Sequence, residues 1–153
     1  MAKQYSGDFS MCKEQADGFL ETAQWCARDM AFMPEKMKAP FITNIAFACE
    51  NFMKAILIWE SDDDVFPSGH DLKRIFDSLS SNAQKKLKVA FKSKYQDNYY
   101  DGRLENFLQK SKNHFCEWRY SFQKRECGLE ADATDYLFFA NCLQDYVASL
   151  GVK

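Results

Sequence analysis

The sequence predicts an all-α fold: an antiparallel bundle of four long helices plus one or two short ones, in a single domain over residues 1–153. Three observations predict it. Apolar residues recur at a period near 3.5 in segment after segment. No segment sustains the period-2 alternation of a half-buried strand. Pro and Gly number only 3 and 6 in 153 residues, and they fall where helices should break.

The first seam runs Phe9, Cys12, Ala16, Phe19, Ala23, Cys26, Met30, Met33. It predicts a long amphipathic helix ended by Pro34. The second runs Phe41, Ile45, Ala48, Phe52, Ala55, Trp59, opened by Pro40 and closed by the acidic run "ESDDD". The tight link "MPEKMKAP" makes these two an antiparallel hairpin. A shorter helix starts in "PSGHDLKRIF", where Ser68 as N-cap and Asp71 three residues later form a capping box. Another covers about Ser81 to Tyr95, capped by Ser80 or Ser81, and "YQDNYYDGR" reads as a loop. The fifth seam is Leu104, Leu108, Ser111, Phe115, Trp118, Phe122; the sixth is Tyr136, Phe139, Leu143, Tyr146, Leu150, ending at Gly151. Seams at this spacing favour crossings near about +20°.

Bulk properties exclude several functions. With 46% apolar and 16% aromatic residues the chain is not a disordered one. A formal net charge of −2 does not coat nucleic acid by charge alone. No apolar run approaches the ~20 residues of a bilayer span. The start, "MAKQYSGDFS", lacks the apolar core of a secretory signal, so a cytoplasmic protein is expected. Cysteines at 12, 26, 49, 116, 127 and 142 form no CxxC pair and mostly sit on apolar faces, which reads as reduced, buried thiols.

Few residues can carry chemistry. The two histidines are His70 and His114. His70, placed in the first turn of the helix capped by Ser68, is expected to be neutral because the helix dipole disfavours the imidazolium. It reads either as a structural ring or as a ligand contact beside free helix amides. His114 and Arg119 are five residues apart, about 140° around an ideal helix, so one chain does not aim both at one spot. Arg119 is expected to pack its stem and pair with an acid, Glu50 first, on the second helix. Glu50 and Lys54 are themselves an i,i+4 pair. Between Lys73 and Lys94 seven basic residues, Lys85, Lys86 and Lys88 among them, face a single acid, Asp77. That stripe is either a solvated face or a track for phosphates. No Gly-rich phosphate loop, Ser-His-Asp set or metal-spaced His pair occurs, so no metal and no cofactor is expected.

Three stretches, in order, resemble a family. "FACENFMKAIL" is similar to the A-x-E-x-x-x-K-A helix of HEPN domains, "GHDLKRIF" to their GHDL element, and "HFCEWRYSF" to their F-x-x-x-R-Y helix. The resemblance spans essentially the whole chain. It implies a small helical bundle that dimerises, often in defence or toxin–antitoxin systems, and that cuts RNA, binds RNA or nucleotides, or serves a partner protein. The family's nuclease hallmark, Arg-x4–6-His, occurs nowhere in this chain. The resemblance therefore implies a non-catalytic dimer binding RNA, a nucleotide or a partner protein, with Glu50, Lys54, Lys85, Lys86 and Lys88 as candidate contacts. The alternative is a divergent, metal-independent ribonuclease with His70, His114, Arg119 and Tyr120 as candidates, assembled across the dimer. Such cleavage needs an acid or base and a cation near the scissile phosphate. The supply of 14 Phe, 7 Tyr and 3 Trp leaves apolar surface for a second copy.

Overall fold

A computed structural model describes residues 3–120, 122 and 131–151. It is an all-α helical bundle carrying one small two-stranded ribbon. Its buried apolar side chains form one connected core.

Asp8 caps α1 (Phe9–Met30), its carboxylate accepting from the Met11 amide at 2.8 Å. The turn to the next helix is shorter than the sequence suggests. Helix α2 (Pro34–Glu60) starts at Pro34, and Pro40 lies inside it rather than opening it. Pro34 suits a first helical position, where its missing N–H costs nothing. Pro40 forfeits one backbone bond early in a helix whose later turns are held by packing. Its carbonyl accepts from Asn44 Nδ2 at 2.7 Å.

Helix α2 is the axis of the fold. It packs on α1 and, further along, on α3, α6 and α7. Phe41, Ile42, Ile45, Phe52, Met53, Ile56 and Ile58 are all buried on it. It is long and apolar enough to cross a membrane, which a search for uninterrupted apolar runs misses because Glu50 and Lys54 break the run; most of its apolar stretch is buried in the bundle.

After the acidic run the chain departs from expectation. Val65–Pro67 (β2) pairs antiparallel with Gln4–Ser6 (β1), Tyr5 facing Phe66. Three-residue strands are too short to leave a periodic signal. Ser68 donates its amide to the Lys3 carbonyl and extends the ribbon, so it is not a helix cap. The cap is Asp71, which accepts from the Arg74 amide at 3.1 Å and opens α3 (Leu72–Ser78). Helix α4 (Ser81–Ser93) is capped by Ser80, and the stretch to Gly102 is a loop, both as the sequence predicts.

The fifth seam is not one helix. It divides into α5 (Arg103–Ser111) and α6 (His114–Arg119). The cause is a diverted carbonyl: Lys112 O accepts from the Leu72 amide at 3.1 Å, and the helix restarts on Asn113 O, which accepts from Cys116 and Glu117. Helix α7 (Ala133–Ser149), capped by Asp132, closes the bundle against α2 and α4, and Gly151 follows with φ +80°, a conformation that glycine adopts freely. Among the described cysteines, Cys26, Cys49 and Cys142 are buried, Cys12 is half-buried and Cys116 is exposed, all unbridged. Cys127 lies outside the described residues.

Candidate functional site

Helix α2 carries a buried ion pair at its middle. Glu50 is 1% exposed and Lys54 8%, one turn apart, with Nζ to Oε2 at 3.0 Å. Lys54 Nζ also donates to the Gly69 carbonyl at 2.9 Å and sits 5.4 Å over the Phe66 ring. Gly69 has φ +103°, so the backbone turn that aims this carbonyl at the ammonium favours glycine. The other Glu50 oxygen, Oε1, is 2.8 Å from His70 Nδ1. Both carboxylate oxygens are thus occupied by neighbours from the chain itself. Burial without such partners would cost on the order of several kcal/mol per ion.

His70 is not in a helix's first turn. It stands one residue ahead of the Asp71 cap, so the dipole argument for a neutral ring does not reach it; its neighbour is a carboxylate instead. Its ring packs at 4.8 Å from Phe115 of α6. Phe47 packs on the Phe115 ring at 4.4 Å, and Phe19 on Phe47 at 4.6 Å. Arg119 is the third visitor, its guanidinium 4.8 Å from the Phe115 centroid.

This placement corrects the expectation for Arg119. It is exposed and does not reach Glu50, whose oxygens are taken by Lys54 and His70. On the six-residue α6 the inward face is His114, Phe115 and Trp118, which leaves Arg119 on the outside. Its Nη2 donates to the Tyr120 hydroxyl at 3.1 Å. Tyr120 is 44% exposed and Phe122 79%, their rings 6.4 Å apart.

His114 takes no part in that face. It is buried, with Nδ1 2.6 Å from the Tyr136 hydroxyl and its ring edge-on to Trp118. The expected divergence of His114 and Arg119 therefore holds. The convergence that sequence reasoning missed is His70 with Arg119, which share Phe115. The available signal was Phe115 itself, one turn before Arg119 in the F-x-x-x-R pattern.

The lysines form a separate feature. Lys85, Lys86 and Lys88 are exposed on α4, which packs on α7, whereas α6 packs on α2. Lys88 is 3.3 Å from Glu105, and Lys73 pairs with Asp77. Among the described residues no group of three His, Cys, Asp or Glu side chains is placed to hold a metal ion.

Sequence reasoning also missed Arg103. Its Nε donates to Asp135 Oδ1 at 3.0 Å, its Nη2 lies 3.7 Å from Asp132, and its guanidinium sits 4.1 Å over the Tyr95 ring. Burial pushes the Asp135 carboxyl up to about 6, even with the guanidinium beside it. The folded chain then holds this proton more tightly than the unfolded chain. The resulting stability is full below about 3.8 and is lost as pH rises through about 6. Thermal melts from pH 4 to 7 test it: wild type should lose stability relative to Asp135→Asn across that window, and a constant difference would show an ordinary carboxylate.

No family model, curated protein or solved structure matches this chain.

Proposed function

We propose that this is a non-catalytic, HEPN-like dimeric domain that binds single-stranded RNA on the face formed by His70, Phe115, Arg119, Tyr120 and Phe122. One observation carries the reading: an imidazole and an exposed guanidinium converge on one ring, beside two exposed aromatics. Single strands are held by that combination, a cation for the phosphate and ring faces for unstacked bases. The exposed lysines of α4 add a salt-sensitive attraction. Exposed Trp25 and Phe32, on the α1–α2 side of the bundle, offer apolar surface for a second copy.

The ribonuclease reading has one supporting observation, the approach of His70 and Arg119 to the same ring. One other weighs against it: His114 is buried on Tyr136.

The test measures binding of a labelled single-stranded RNA to wild type and Arg119→Ala, with gel analysis of the RNA after incubation. Wild type should bind, more weakly as salt rises, and leave the RNA intact. Arg119→Ala should bind about tenfold more weakly, as expected when a phosphate contact is lost. Its unfolding free energy should stay within about 0.5 kcal/mol of wild type, because the side chain is exposed and has no ion pair among the described residues. Absence of wild-type binding sinks the proposal. Cleavage abolished by His70→Ala establishes the ribonuclease reading in its place.

A further inference from the structure

A cleft of about 600 Å³ opens between α5, the start of α7 and Lys38 of α2. It is distinct from the Phe115 face. Its size falls within the ~300–1,000 Å³ typical of small-molecule sites. Its lining is arranged in two tiers. At the rim stand Lys38 and Lys110, both exposed and neither with an ion-pair partner among the described residues. Lys38 is held 5.4 Å over the Trp118 ring, which orders its ammonium without neutralising it. Deeper in, the buried side chains of Ser111 and Asp135 bring a hydroxyl and a carboxylate to the wall.

Between the tiers, Arg103 is fixed by Asp135 and Asp132 and lies 5.4 Å from the Tyr100 ring, so one wall is a rigid polar plate with an aromatic edge. Three cations against two carboxylates leave the cleft net positive. An apolar ligand would strand these polar groups, and a cationic one would meet the lysines first. A phosphate alone would fill only the rim and leave the deeper wall of Ser111 and Asp135 without a ligand group. A ligand that satisfies both tiers carries an anion at one end and hydroxyl groups at the other.

We infer that this cleft binds a small phosphomonoester bearing hydroxyl groups, a sugar phosphate in chemical class, with Lys38 and Lys110 on the phosphate and Asp135 accepting from the hydroxyls. The inference does not rest on the RNA-binding reading and involves none of its residues.

Isothermal titration calorimetry on the full chain tests it, with ribose 5-phosphate, inorganic phosphate and ribose as probes. Ribose 5-phosphate should bind one per chain, inorganic phosphate more weakly, and ribose without measurable heat. The Lys38→Ala/Lys110→Ala variant should bind ribose 5-phosphate at least about tenfold more weakly with an unchanged melting curve. The Lys85→Ala/Lys86→Ala variant, altered on the α4 stripe, should bind as wild type does. Asp135→Asn should lose the preference for ribose 5-phosphate over inorganic phosphate. No binding of ribose 5-phosphate to wild type overturns the inference. So does equal binding by the Lys38→Ala/Lys110→Ala variant, or an equal loss in the α4 variant.

Discussion

Replacing Glu50 by Ala should lower the free energy of unfolding by about 3–5 kcal/mol, the cost of stranding one member of a buried pair. Lys54 stays behind, 8% exposed, with the Gly69 carbonyl and the face of Phe66 left to answer its charge among the described residues. His70 loses its Nδ1 partner at the same time. The ammonium cannot reach water freely, because the Lys54 side chain is almost wholly buried. A urea titration of Glu50→Ala measures the loss. The double variant Glu50→Ala/Lys54→Met should recover much of it, since removing both charges removes the desolvation penalty along with the attraction. A loss below about 1 kcal/mol would mean that the pair is hydrated and behaves as a surface ion pair.

Phe139→Ala should be comparably damaging, by about 3–5 kcal/mol. Its side chain is wholly buried on α7. Three other rings pack around it: Phe107 of α5 at 5.7 Å, Phe76 of α3 at 6.1 Å and Phe91 of α4 at 6.2 Å. One side chain therefore ties four helices together, and the hole left by its removal is walled by rigid rings that collapse poorly. Denaturant unfolding of Phe139→Ala beside Phe122→Ala separates burial from chemistry: the same substitution at a ring 79% exposed should cost within about 0.5 kcal/mol. Equal losses would contradict the packing described here.

Much of the fold was legible because helical packing writes itself at a spacing of three and four residues. The seams of α1, α2 and α7 were readable for that reason, as was the Glu50–Lys54 pair, whose partners are one turn apart. What was not legible depends on groups far apart in the chain. The break at Lys112 is set by a carbonyl that serves Leu72. The ribbon pairs Tyr5 with Phe66. Arg103 finds Asp135, and His70 finds Phe115, across distances that no local pattern encodes. The expected Arg119–Glu50 pairing failed for a related reason: charge sign suggested a partner, but two nearer cationic or imidazole neighbours had already filled both oxygens, and an aromatic face offered the guanidinium another place to rest. Pairing by sign is a weak guide when several groups compete for one carboxylate.

The short ribbon also bears on the order in which the molecule assembles. The α1–α2 hairpin joins neighbours in sequence and can form early, whereas β1 meets β2 only after the whole hairpin is in place, closing the loop from Gln4 to Pro67. The segment that β2 leads into carries Gly69 and His70. A strand of three exposed residues is a weak fastening, of the kind that opens locally while the core stays shut. The N-terminal strand thus closes late, through the Lys3 carbonyl on the Ser68 amide, beside a His70 turn that Glu50, Lys54 and Phe115 also hold.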